Sequence, residues 1–156
     1  MPTEPVEILL VEDNPADLEL TLHAMRQNHM SNRIQVARDG EQALDYLFGR
    51  GAYSDRVSEH PLKLVLLDLK LPKVDGLEVL RAIKSDPRTK VIPVVILTSS
   101  VEEKDLIGSY NWGVNSYIQK PVDFEQFRET VKQLHLYWLL VNQAPSAIAF
   151  FAGSGT

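Results

Sequence analysis

Polar residues with chemistry in them stand directly after short apolar runs. Glu12 and Asp13 follow ILLV, Asp68 ends LVLLD, Thr98 with Ser99 and Ser100 ends VVILT, and Lys120, before Pro121, follows SYIQ. If these runs are strands that finish at one edge, three carboxylates share a small volume and repel one another unless a cation lies between them. A hard divalent ion, Mg²⁺ by preference, takes oxygen ligands and keeps several waters. Lys120 adds a fixed positive charge and Thr98 a hydroxyl donor. Carboxylates, Mg²⁺, a lysine and a hydroxyl suit phosphoryl transfer, in which the transferred group needs its equatorial oxygens neutralised while an oxygen nucleophile attacks in line.

The elements that must position these residues can be read from periodicity. Five runs read as strands: Glu7 to Val11, Arg33 to Ala37, Leu64 to Asp68, Val94 to Thr98 and Ser116 to Gln119. Three of them are apolar without alternation, which suits strands covered on both faces in a parallel sheet. The segments between them open with helix-start residues. Asn14 precedes Pro15, with Asp17 in the first turn,. Capping-box spacing recurs in Asp39 and Gln42, Asp75 and Glu78, Ser100 and Glu103, and Asp123 and Gln126,. The alternation predicts an α/β fold, a doubly wound five-stranded parallel sheet of flavodoxin-like order 2-1-3-4-5. Its binding site lies at the carboxyl ends of the strands, where the polar residues fall.

Composition narrows the possibilities. A chain of 156 residues accommodates one domain of ordinary globular balance,. Sixteen basic against 21 acidic side chains leave a net charge of −5, with no basic run, which disfavours sequence-independent nucleic-acid binding,. The absence of cysteine excludes disulfides, thiolate metal sites and cysteine nucleophiles,. The amino terminus lacks the basic start and apolar core of a secretory signal, and no apolar run approaches the ~18 residues of a membrane span. The expectation is a cytoplasmic protein with no membrane attachment.

Four ordered motifs then carry a family resemblance: VEDN at Val11 to Asn14, DLKLPKVDG at Asp68 to Gly76, LTSS at Leu97 to Ser100, and SYIQKP at Ser116 to Pro121. Up to about Tyr137 the chain resembles a response-regulator receiver domain of two-component phosphorelays. The resemblance implies that Asp68 accepts a phosphoryl group from a phosphohistidine on a sensor histidine kinase. It also implies that Asp13 and Asp68 hold Mg²⁺, with the backbone carbonyl of Lys70 and a water-mediated role for Glu12. Lys120 would bind the phosphoryl oxygens, Thr98 would move toward the phosphate, and Tyr117 would turn inward with it. Such a domain is no metabolic enzyme, but catalyses its own phosphorylation and dephosphorylation. The long polar loop Gly49 to Leu62, the SDP at Ser85 to Pro87, the aromatic-rich helix end and the lack of an output domain are similar to the stand-alone regulators of cyanobacterial phytochrome kinases. Two beyond Asp68 and Thr98 stand Lys70 and Ser100, neither of them a water-positioning acid or amide, so the resemblance does not extend to fast self-dephosphorylation.

Rival readings fit less well. A flavin carrier of this fold needs a Ser/Thr/Gly-rich phosphate loop after the first strand, where this chain has VEDNPAD, whose acids repel phosphate,. An aspartyl-phosphate phosphatase needs a second acid two residues after its nucleophile, and Lys70 occupies that place. A degenerate, partner-binding receiver would have lost part of the acidic, lysine and hydroxyl set, all of which is present. His23, His29, His60 and His135 show no metal-ligand spacing.

The last helix is read from Asp123 onward, with Phe124, Phe127, Val131, Leu134 and Trp138 on one stripe,. If it runs to Val141, the segment Leu136 to Val141 surrounds the axis with apolar side chains, and some must face away from the domain. Hence the expected division is a receiver domain over 1–141 with an extended last helix and a tail over 142–156. The expected assembly is a homodimer through the fourth predicted helix, fifth strand and fifth predicted helix. The tail segment Ala147 to Phe151 could instead cover that patch. The tail is too short for a DNA-binding module.

Overall fold

The structure, a computed structural model, describes residues 6–30, 32–54, 62–100 and 113–136. Five strands, β1 (Ile8–Val11), β2 (Ile34–Ala37), β3 (Leu64–Asp68), β4 (Val94–Thr98) and β5 (Ser116–Gln119), form one sheet of order β2-β1-β3-β4-β5, with every pairing parallel. The described helices are α1 (Pro15–Gln27), α2 (Gly40–Phe48), α3 (Gly76–Ser85) and α4 (Phe124–Gln133). This is the doubly wound fold expected from the sequence, with β1 and β2 each starting one residue later than predicted.

Each central strand is buried end to end because the sheet has a core on both faces. Leu9, Val11, Val65, Leu67, Val94 and Ile96 pack on Ala43, Tyr46 and Leu47 of α2 and on Val79, Leu80 and Ile83 of α3. Their alternating neighbours Ile8, Leu10, Leu64, Leu66, Val95, Leu97 and Ile118 pack on Ala24 and Met25 of α1 and on Phe127 and Val131 of α4. Side chains alternate between faces along a strand, so only an ungapped apolar run fills both layers.

Helix starts follow the sequence chemistry closely. Asn14, Asp39 and Asp123 accept the backbone N–H of Asp17, Gln42 and Gln126 at 2.9, 2.7 and 2.9 Å. Asp75 departs from the expected pairing with Glu78: it accepts from Leu77 at 3.5 Å. Glu103, the partner expected for Ser100, and the fourth predicted helix fall outside the described residues. The Gly49 to Leu62 loop opens with structure of its own. Gly49 ends α2 in the left-handed region at φ 65°, and Gly51–Tyr53 form a 3₁₀ turn whose Tyr53 ring meets Tyr46 edge-on at 5.1 Å.

The end of the last helix corrects the sequence reading. α4 stops at Gln133, and His135 takes φ 59°. Its N–H donates to the Lys132 carbonyl at 3.0 Å, while the Leu136 N–H reaches back to Val131 at 2.9 Å. This double bond pattern, with a left-handed residue between buried Val131 and Leu136, is the Schellman stop, and a helix cannot run through it,. Leu136 therefore faces the domain core, and the uninterrupted helix to Val141 is not formed. Tyr137 to Val141 and the tail lie outside the described residues. α1 ends in the same way at His29, φ 61°, with Met30 bonded back to Met25.

Candidate functional site

Strand register assembles the site. Val11 pairs with Leu67, Asp68 with Leu97, and Thr98 with Gln119. Glu12, Asp68, Thr98 and Lys120 therefore emerge side by side from β1, β3, β4 and β5, at the carboxyl edge of the sheet. Backbone bonds hold the exits: the Glu12 N–H donates to Ala37 at 3.0 Å, and the Lys120 N–H to Thr98 at 2.7 Å. The edge opens into a cleft of about 470 Å³ lined by Asp13, Asn14, Asp17, Asp68, Lys70, Ser99, Lys120 and Pro121.

Lys120 is the hub of this cleft. Its Nζ lies 3.1 Å from Asp68 Oδ2, 3.0 Å from Asp17 Oδ2 and 3.2 Å from Glu12 Oε2. Burial alone would lower the pKa of this amine. The bond to Asp17, the charge of Asp68, and the bonds to Glu12 and Asp68 outweigh that and hold it above the ordinary lysine value. Glu12 has no solvent exposure, and burial is the largest cause that pushes its carboxyl up to about 7. Its hydrogen bond and like charge with Asp68 act in the same direction, and Lys120 only partly opposes them,.

Glu12, Asp13 and Asp68 each offer a carboxylate oxygen, and these oxygens lie within 4.8 Å of one another. Glu12 Oε1 has Lys120 Nζ at 3.0 Å but out of hydrogen-bonding alignment, so this buried oxygen is unsatisfied. An all-oxygen donor set with crowded negative charge and an unsatisfied buried acceptor fits a hard divalent cation. Asp68 Oδ1 accepts the Lys70 N–H at 3.3 Å, which fixes the first turn of the loop that would also present the Lys70 carbonyl.

Thr98 is buried at the end of β4, and its hydroxyl donates to the Ser100 carbonyl at 2.9 Å while accepting the Ser100 N–H at 3.2 Å. Tyr117 is half-buried against the core shared with α2 and α3, and burial raises its phenol pKa. It does not line the acidic cleft. All the residues singled out in the sequence thus stand at one sheet edge except Tyr117, which sits inside β5.

Two contacts were not foreseen. Asp17, read as a helix-start acid only, places its carboxylate on Lys120. Arg38, after β2, donates from Nη2 to the Asp13 carbonyl at 3.2 Å and so ties the acid-bearing turn to the neighbouring strand. An acid in the first turn of the helix that follows an acidic strand end was the available signal for Asp17.

A parallel sheet of this order, with carboxylates at the first and third strand ends, a hydroxyl at the fourth and a lysine before proline at the fifth, defines a receiver domain. The response regulator receiver domain family model matches residues 8–132, and the chain belongs to that family. Among its relatives, the probable methanogenesis regulatory protein FilR2 of Methanothrix harundinacea is 46% identical over 91% of this chain and 89% of its own length. The response regulator Rcp1 of Synechocystis sp. is 40% identical over 92% and 95%. Of the solved structures, the bacteriophytochrome response regulator RtBRR superposes with a TM-score of 0.83 at 46% identity, covering 96% of this chain and 90% of that one. The Mn²⁺-bound form of Rcp1 gives 0.69 at 38%, covering 91% and 100%. The phosphorylated cyanobacterial phytochrome response regulator RcpA gives 0.69 at 41%, covering 92% and 100%. The chain is the receiver domain of a two-component response regulator, similar to phytochrome response regulators.

Proposed function

We propose that Asp68 is the phosphoacceptor of this receiver and that a phytochrome-type sensor histidine kinase is its donor. The observation that carries the reading is Lys120 Nζ set 3.1 Å from Asp68 Oδ2 beside two further carboxylates in an open cleft. An Asp68 oxygen attacks phosphorus. The new P–O bond forms as the P–N bond to the kinase histidine breaks, and the electron pair of that bond stays on the imidazole nitrogen. Lys120 binds a phosphoryl oxygen, and the Thr98 hydroxyl exchanges its bond to Ser100 for a second one. Tyr117, one residue beyond the strand position paired with Val95, follows the vacated space inward.

Glu12, Asp13, Asp68 and the Lys70 carbonyl are the residues that would hold Mg²⁺. When bound, the ion would supply positive charge to offset these carboxylates and the developing charge of the phosphoryl group, in transfer and in the self-catalysed hydrolysis that ends the signal. The Mn²⁺-bound Rcp1 and phosphorylated RcpA structures support both halves of this reading. Intact-mass measurement with acetyl phosphate and Mg²⁺ tests it. Wild type gains one phosphoryl group and Asp68→Asn gains none; a variant labelled at the wild-type rate overturns the assignment. Labelling by a purified phytochrome kinase but not by an unrelated sensor kinase tests the donor.

The signal leaves through protein contacts rather than DNA or membrane, in keeping with the net charge of −5, and the protein works in the cytoplasm. Among the described residues no helix is long and apolar enough to cross a membrane. The contact surface we propose is a homodimer through β5, a sheet edge, together with α4 and the segment 101–112. Sedimentation equilibrium with and without acetyl phosphate tests it, and a monomer under both conditions at micromolar concentration overturns it.

A further inference from the structure

The conformation of Lys120 depends on an acid that the phosphoacceptor reading does not require. Asp17 is the third residue of α1, and its backbone is held at both ends: the N–H by Asn14 Oδ1 at 2.9 Å, and the carbonyl by the Thr21 hydroxyl at 3.0 Å. An acid at this helix position commonly turns back to the N–H of the capping residue. Here Glu12 Oε2 takes the Asn14 N–H at 3.2 Å, and the Asp17 carboxylate spans 103 residues of sequence to meet Lys120 Nζ at 3.0 Å.

The geometry points to Asp17 as a positioning residue for phosphoryl transfer, one that holds the Lys120 ammonium over the Asp68 carboxylate before the phosphoryl group arrives. A lysine side chain has four flexible carbons and a compact, rotatable head. Glu12 and Asp68 reach the ammonium from the ends of β1 and β3, whereas Asp17 reaches it from the first turn of α1 and lines the same cleft. The ammonium has three N–H donors and meets three carboxylates. When Asp68 is phosphorylated, its contact passes to a phosphoryl oxygen while Glu12 and Asp17 keep the amine in place. Asp17 thus acts through Lys120 and touches no reacting atom. Its side chain retains 29% exposure, so solvent partly screens its repulsion of the phosphoryl group,.

The inference rests on Asp68 phosphorylation, and two readouts separate them. In the first, the rate of labelling by acetyl phosphate is measured in a double-mutant cycle. Asp17→Ala should slow labelling about tenfold, the low end for a charged hydrogen bond in a half-buried site, and Asp17→Asn should slow it less. In a Lys120→Gln background the Asp17→Ala change should have no further effect, whereas a merely structural loss at the start of α1 slows both backgrounds alike. In the second, side-chain order of the Lys120 methylenes is measured by NMR in the unphosphorylated protein, and Asp17→Ala should mobilise them. A wild type that takes no phosphoryl group refutes the Asp68 reading. A labelled wild type with an equally fast or faster Asp17→Ala, an additive cycle, or Lys120 methylenes equally rigid in both proteins overturns the role of Asp17.

Discussion

Gly76 begins α3 directly under the phosphoacceptor loop, and its missing side chain has a measurable consequence. A Cβ at this position would stand 2.5 Å from the Asp68 carbonyl oxygen, 2.6 Å from Leu69 Cα and 2.7 Å from the Leu69 carbonyl oxygen. All three are backbone atoms, so no rotamer relieves the overlap. The Gly76 N–H also donates to the Leu69 carbonyl at 3.1 Å, which pins the two segments together. To restore ordinary contact the Asp68 carbonyl must recede from 2.5 Å to about 3.4 Å, nearly an ångström, and the carboxylate moves with it. Overpacking of this kind costs about 1–3 kcal/mol. A displacement of about 1 Å in a reacting group can cost on the order of 10²-fold in rate. Gly76→Ala should therefore remain folded, melt several degrees lower, and take a phosphoryl group from acetyl phosphate on the order of 100-fold more slowly. The assay is intact mass against time, with a urea titration showing the fraction folded at the assay temperature. A folded variant labelled at the wild-type rate would refute the claim that this close approach sets the position of Asp68.

Other consequences follow from the buried acid, the caps and the core. Because the Glu12 carboxyl is pushed up to about 7, metal binding must displace its proton below that pH, and Mg²⁺ affinity by calorimetry should fall up to about tenfold per pH unit below 7,. The same shift has a sign for stability: the metal-free protein should lose stability as pH rises from the ordinary 4.5 to about 7, where folding opposes ionisation,. Affinity and stability flat across that window would remove Glu12 from this account. Asp39→Ala deletes the cap on the Gln42 N–H and should cost about 1 kcal/mol in urea denaturation; its exposed pairing with Lys73 adds little,. Phe127→Ala empties a side chain that is 1% exposed and should cost about 3–5 kcal/mol, and a loss under about 1 kcal/mol would contradict its place in the core,.

The fold and most of the site were legible because their signals are local. Ungapped branched runs report a sheet covered on both faces, and Asn14, Asp39 and Asp123 report helix starts through bonds made within three residues. Acids, hydroxyl and lysine at successive strand ends report the site, because parallel strands finish at the same edge. Where a local signal has an equally local competitor the reading slipped. The apolar stripe of α4 continues in the sequence beyond Gln133, yet a left-handed His135 bonds Leu136 back to Val131 and turns it into the core, and the helix stops.

The sequence by itself determined which residues meet at the carboxyl edge, since strand order and strand ends follow from patterns a few residues long. Only the tertiary structure decided how they share their charges: that Glu12 is sealed from water and shifted upward, that Arg38 holds the turn at Asp13, and that Asp17 takes a third of Lys120. These depend on distances between groups 25 to 108 residues apart and on the solvent each has lost. Electrostatic energy varies with separation and local polarity rather than with order along the chain.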